Sequence, residues 1–122
     1  MLSYKHGFHS GNHADIIKHM TICLLLRCLN KKEKPYTVID THSGSGVYRL
    51  DGFMAQKNQE FKTGIEKIKD NAKLRELVPE FYKVYDDLNA ELKNTYPGSP
   101  LFEASLSRDV DKLTFIDLHP SE

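Results

Sequence analysis

The sequence predicts an α/β fold of the doubly wound, parallel-sheet kind, on three observations. Two short apolar runs, YTVID at 36–40 and KLTFID at 112–117, are rich in β-branched and aromatic residues, and each ends in an acid. The first opens directly into THSGSG at 41–46, a turn with two glycines one residue apart, as expected at the ligand-binding edge of such a sheet. The stretches around the two runs carry apolar residues at helical spacing. Two strands are fewer than the roughly five a doubly wound sheet uses, so residues 1–122 are expected to be the first part of a larger α/β domain.

Taken in order, Asn12 is placed to cap a helix running from His13 to about Asn30, with Asp15 in the first turn, where the helix dipole favours an acid. Ile16, Ile17, Met20, Cys23, Leu24 and Cys28 form a broad apolar face that Leu25, Leu26 and Leu29 widen. Such a helix should be covered on most of its circumference. KKEKP is a loop, and YTVID, apolar without alternation, reads as a strand buried on both faces. Residues 50–95 read as a helical insertion. One series is Phe61, Ile65, Ile68 and Ala72; a second is Leu74, Leu77, Phe81, Tyr85, Leu88 and Leu92, with Pro79 near a helix start. TYPGSP at 95–100 breaks that region. Ser99 before Pro100 predicts an N-cap for a short helix over 100–107, after which the second strand runs to Asp117. The chain thus divides into 1–49 with the first helix, first strand and glycine turn, 50–95 with the insertion, and 96–122 with the returning helix and strand.

Composition narrows the function. Hydrophobic residues at 39% and charged residues at 28% fit a soluble globular domain. The 17 Lys+Arg balance 17 Asp+Glu, so no overall charge draws the chain to nucleic acid or membrane. The balance is uneven locally: Lys5, Lys18, Arg27, Lys31, Lys32 and Lys34 face only Asp15 and Glu33 in the first 34 residues. That is either a patch that attracts phosphates or a solvated helix end. Cys23 and Cys28 lie about 140° apart around a helix and cannot bridge, which suits a reducing cytoplasm. The start lacks the apolar segment of a secretory signal, and the apolar run at 20–26 is far short of the roughly 20 residues of a membrane span. A cytoplasmic protein is expected.

The glycine turn is not a P-loop, because no G-x-x-x-x-G-K-[ST] occurs. Gly44-Ser45-Gly46 also lacks the third glycine of the dinucleotide fingerprint. The acids say more. Asp117 at a strand end can accept two hydrogen bonds from ribose hydroxyls, and Asp40 faces the same crevice. A carboxylate beside the turn disfavours a pyrophosphate and favours a cation. S-adenosylmethionine carries a sulfonium, an ammonium and a ribose but no phosphate, and Gly44 and Gly46 would let backbone approach its methionine tail. The bland alternative is that the glycines only make a tight turn. His6, His9 and His13 lack the neighbouring cysteines or clustered acids that would make a zinc site. Lys18 and His19 read equally as a snorkelling lysine and a satisfied core histidine. His42 inside the turn has no evident structural reason, and Tyr4 near the terminus could pack on a base.

Four stretches carry a resemblance: MLSYKHGFHSGNHADIIKH, DTHSGSGVYRL, YPGSP and DLHPSE. In this order and with similar gaps they resemble the RlmJ family of bacterial 23S ribosomal RNA adenine-N6 methyltransferases, once labelled as proteins for using external DNA as a nutrient. The resemblance runs from Met1 to Glu122, and over 51–95 it lies in helical character more than in letters. It implies a Rossmann-like S-adenosylmethionine-dependent methyltransferase fold, of which this is the N-terminal part, with a helical subdomain inserted after the first strand. It implies that Lys18, His19, His42 and Ser99 lie at the cofactor site, that Asp117 holds the ribose, and that the segment around Tyr4 and His6 closes over the target adenine. Such enzymes act on a base taken out of its stack. Ribosomal RNA is the implied partner and S-adenosylhomocysteine the product, with no metal and no membrane; a monomer is the default expectation.

One departure limits this. Related adenine-N6 methyltransferases carry a D/N-P-P-Y/F motif that accepts hydrogen bonds from the adenine amino group, and no such tetrapeptide occurs here. The catalytic motif is expected beyond Glu122, and residues 1–122 alone are expected to be inactive. The competing readings are a non-catalytic nucleic-acid-binding protein linked to external DNA, and a nicotinamide enzyme, which the missing glycine and His42 disfavour.

Overall fold

The structure, a computed structural model, describes residues 4–118. Its first long element is α1, His13–Asn30, capped as the sequence predicts: the Asn12 side chain accepts a hydrogen bond from the Asp15 amide at 2.9 Å. Ile16, His19, Cys23 and Leu26 are buried, a stripe at the three-to-four-residue spacing of one helix face. Ile17, Leu24, Leu25 and Leu29 are exposed. Cover on most of the circumference is therefore not found. Apolar residues surround the helix, but its neighbours pack on one side of it.

Those neighbours come mainly from the second half of the chain. Residues 53–91 are largely helical: α2 (Phe53–Asn58), α3 (Ile65–Ile68), α4 (Ala72–Leu77) and α5 (Pro79–Glu91), with Pro79 in the first turn of α5. Phe61, Ile65, Phe81, Tyr82 and Val84 join Ile16 and Cys23 of α1 in one hydrophobic cluster. Arg27 of α1 grips the Glu80 carboxylate through two hydrogen bonds of 2.6 Å, tying α1 to the start of α5.

Two separate pairs of strands follow different rules. β1 (Thr37–Asp40) runs parallel to β4 (Lys112–Phe115), Thr37 opposite Lys112 and Asp40 opposite Phe115. The expected burial of β1 on both faces is not observed: only Asp40 is buried, and Ile39 is 61% exposed. β4 ends at Phe115, short of Asp117, but Ile116 N–H donates to the Asp40 carbonyl at 2.9 Å and Ser43 N–H to the Ile116 carbonyl at 3.0 Å, extending the pairing into the turn. A polar clasp holds the entry to both strands. Arg108 donates to the carbonyls of Lys32 (2.6 Å) and Lys34 (3.0 Å), bridges to Asp111 and lies over the Tyr36 ring; Asp111 accepts from the Tyr36 amide.

The second pair corrects the reading of 95–100 as a simple break. β2 (Val47–Arg49) and β3 (Thr95–Pro97) form an antiparallel ladder, and β3 is buried throughout. Pro97 is tolerated at the end of a three-residue strand, where few ladder bonds are lost. After it, α6 spans Ser99–Leu106, and Gly98 rather than Ser99 takes the cap position. Ser99 has another use: its hydroxyl donates to Asp40 at 2.6 Å. Phe102 of α6 stacks on Phe81 of α5, ring centres 5.3 Å apart, and closes the core. The fold is thus mixed α/β. The described strands form two two-stranded sheets, not the continuous open sheet implied by a Rossmann domain.

Candidate functional site

The glycine turn is folded back over the end of β1 by hydrogen bonds to one carboxylate. Asp40 accepts from the His42 amide at 3.2 Å and from the Ser99 hydroxyl at 2.6 Å. Burial works to raise the Asp40 pKa, but the bonds from Ser99, Glu103 and His42 outweigh it and hold the carboxyl below its ordinary range. Gly44 sits at φ 61°, the left-handed region where glycine carries no side-chain clash. Farther along, the Ser45 amide donates to the Tyr48 hydroxyl at 2.9 Å. Gly98 comes so close that a Cβ there would lie 1.9 Å from the Ser45 carbonyl oxygen, so that position requires glycine.

The opposite wall is built by the N-terminal segment and the first turns of α1. Asp15 is buried and accepts from His6 Nε2 at 2.7 Å and from the Gly11 amide at 2.9 Å. Burial alone would raise its pKa; the hydrogen bond and charge of His6 prevail and lower it. The other His6 nitrogen, Nδ1, lies 2.6 Å from the Tyr4 hydroxyl. His19, one helical turn beyond Asp15, is buried with Nδ1 2.8 Å from the Tyr96 hydroxyl and its ring 4.8 Å from that of Phe102. Burial, only partly opposed by Asp15, pushes His19 down to about 4, so the ring is neutral near pH 7. A Tyr96 hydroxyl that donates to Nδ1 leaves the remaining ring proton on Nε2.

Between these walls lies a cavity of about 510 Å³. Tyr4, His6, Lys18, His19, His42, Gly44, Ser99 and Asp117 all line it, although they come from five separate stretches of chain. Asp40 is not on the wall; it stands behind it and acts through Ser99 and the His42 amide. Gly46 is also off the wall, and a Cβ there would meet nothing within 4 Å. Ala14, Asp15, Thr41, Ser43, Tyr48, Gly98 and Leu118 complete the lining without having been singled out as site residues. Asp15 is hidden in the sequence by its adequate role as a helix-start acid, and Gly98 by its place among turn residues. Tyr48 carries no local signal at all.

Two of the N-terminal histidines pair with acids: His6 with Asp15, and His9 with both oxygens of Glu60 at 3.0 Å. Among the described residues no group of three His, Cys, Asp or Glu side chains is disposed to hold a metal ion, and no helix is long and apolar enough to cross a membrane.

Known proteins are similar to this chain in sequence and shape. The family model described as "Ribosomal RNA large subunit methyltransferase D, RlmJ" matches residues 33–122. Over its whole length the chain is 44% identical to "Ribosomal RNA large subunit methyltransferase J" of Haemophilus influenzae and 39% identical to the protein so described in Escherichia coli. A crystal structure of a Legionella pneumophila protein matches with a TM-score of 0.82 and 38% identity, over 92% of this chain and 41% of that one. The chain spans 44% of the length of the curated relatives it matches.

Proposed function

This chain belongs to the family described as ribosomal RNA large subunit methyltransferase D, RlmJ, and on that premise we propose that its cavity is an S-adenosylmethionine site serving adenine-N6 methylation of 23S ribosomal RNA. The observation that carries the reading is the meeting of Tyr4, His6, Lys18, His19, His42, Gly44, Ser99 and Asp117 on one cavity. Its volume lies within the roughly 300–1,000 Å³ usual for cofactor pockets.

The donor set fits the group. Asp15 and Asp117 on the wall, with Asp40 behind it, would repel a pyrophosphate and attract an ammonium or sulfonium. Asp117 would accept from the ribose hydroxyls, and Lys18 would face the methionine carboxylate. A neutral His19 can hydrogen-bond without adding a positive charge beside a cationic ligand. The turn at His42 and Gly44 offers backbone polar groups close to the cavity. When bound, S-adenosylmethionine supplies an activated methyl group on its sulfonium. Tyr4, stacked on His9 at 5.1 Å, would present an aromatic face to the target adenine, with His6 oriented by Asp15 beneath it. No D/N-P-P-Y/F tetrapeptide occurs in the 122 residues, so the proposal for this chain is cofactor binding, with methyl transfer not expected of it alone.

Calorimetric titration of the chain with S-adenosylhomocysteine, NAD and ATP tests the reading. S-adenosylhomocysteine should bind selectively, and Asp117→Ala should weaken it about tenfold or more, the scale of a lost hydrogen bond to a charged group. Absence of binding, or an unchanged affinity in the variant, would overturn the site. Cofactor-independent RNA binding that falls steeply with salt would instead favour a non-catalytic nucleic-acid binder.

A further inference from the structure

Behind the cavity wall lies a second carboxyl that the proposed function does not use. Glu103, on the second turn of α6, is 5% exposed and lies one helical turn beyond Ser99, on the face from which the Ser99 hydroxyl reaches Asp40 at 2.6 Å. Its Oε1 is fully buried and accepts no hydrogen bond among the described residues. Two neighbouring buried carboxyls are costly to ionise together, which favours a proton held between them. Its placement is decided by the partners. Asp40 already accepts from Ser99 and from the His42 amide, which favours the charged form, whereas a charged Glu103 would leave a bare anionic oxygen in the interior.

We propose that Glu103 is a positioning residue of the cavity: its neutral carboxyl donates to Asp40, completing the set of bonds through which Asp40 holds Ser99 and the His42 turn against the ligand. Deprotonating Glu103 places a second buried negative charge beside Asp40, and the shared strain falls on Ser99 and His42, the two groups that carry Asp40's influence to the cavity. The groups that face the pair are Asp40 itself from β1, Ser99 from α6, the His42 amide from the turn, and Lys18 from α1, whose charge favours ionised Glu103. His19 of α1 lies within the field of Asp40. Among the described residues, no charged group of α5, β3 or β4, the other elements packed on α6, acts on Glu103. Burial, then the bond to Asp40 and its charge, raise the Glu103 pKa to about 8, which puts the transition within reach of experiment.

The ligand consequence rests on the cofactor reading above; the pairing does not. Carboxyl-carbon NMR of the ligand-free chain, with Glu103 assigned by its loss in Glu103→Gln, reads the pairing directly. Glu103 should titrate far above the other glutamates, and the His42 and Ser99 amide signals should move with the same midpoint. Titration of Glu103 among ordinary carboxyls, or a His42 amide indifferent to it, would overturn the proposal. Glu103→Gln, whose amide can still donate to Asp40, should keep the His42 amide position between pH 6.5 and pH 9, and Glu103→Ala should displace it. Affinity for S-adenosylhomocysteine should fall at least severalfold between pH 6.5 and pH 9 in the unaltered chain and stay flat in Glu103→Gln; a parallel fall in both would overturn the link to the cavity. If nothing binds at any pH, the cofactor reading fails, and the NMR result still decides the pairing.

Discussion

The two faces of α1 use the same kinds of residue and meet opposite fates. On one, Cys23 is fully enclosed together with Phe81 of α5, Tyr96 of β3 and Phe102 of α6, and His19 is drawn in with them by a hydrogen bond and a stacked ring. On the other, Ile17 is 67% exposed, and Leu25 and Leu29 are open too. The enclosed face is where α5, β3 and α6 converge, and it supports the cavity from below. Apolarity alone therefore does not rank positions in this protein. What ranks them is whether chain from 60 to 105 comes to lie against them.

The largest expected effect follows from that contrast. Phe102→Ala removes a ring stacked on both His19 and Phe81 and should cost about 3–5 kcal/mol in urea unfolding. Leu25→Ala on the open face should stay within about 0.5 kcal/mol. Similar losses at both positions would show that the open face is not open in solution. The next effect is set by pH. His19, held down at about 4 against an ordinary 6.5, contributes stability that is complete above pH 6.5 and is lost as pH falls towards 4, on the order of 3 kcal/mol by pH 4. Glu103, raised from 4.5 to about 8, works with the opposite sign, its contribution being complete below pH 4.5 and lost as pH rises through 8. The acid-side loss is therefore measured in Glu103→Gln, and it should shrink when His19→Gln is added, the remainder belonging to carboxyls such as Asp15 and Asp40 that the fold also holds low.

The two glycine positions make a smaller contrast. Gly98→Ala drives a Cβ into the Ser45 carbonyl and should cost about 1–3 kcal/mol and disturb the cavity. Gly46→Ala meets open space and should change stability by no more than about 0.5 kcal/mol. Equal effects in a thermal melt would contradict the close approach at Gly98. At the low end of the measurable losses, Asn12→Ala removes the cap of α1 and should cost about 1 kcal/mol.

These contrasts mark where the sequence was readable. Features that depend on a few adjacent residues could be read: the Asn12 cap, the extent of α1, Pro79 at the head of α5, the strands at 37 and 112, and the turn between Asp40 and Gly46. Features that depend on distant partners could not. Val47-Tyr48-Arg49 becomes a strand only because Thr95-Tyr96-Pro97 lies beside it. Ser99 has the right residue type and place for a cap, and only the arrival of Asp40 redirects its hydroxyl. In the cavity, polar residues with no competing local explanation, such as His42, stood out. Asp15 did not, because a helix start already accounts for an acid there, and Glu103 did not, because a glutamate in a short helix normally faces water.

The clasp made by Arg108 has a consequence for the order in which the protein opens. β1 and β4 lie about 75 residues apart in sequence, so pairing them closes a long loop at an entropic cost that local contacts do not offset. They have little apolar cover, and what pins them is a guanidinium on exposed carbonyls and one acid. The amides of Val38 and Ile39 should accordingly exchange with solvent deuterium through a local opening, well before those of the α1 residues around Cys23, which await global unfolding. The turn that roofs the cavity hangs from that same parallel pair, so the site is tethered to the least protected strands of the described fold.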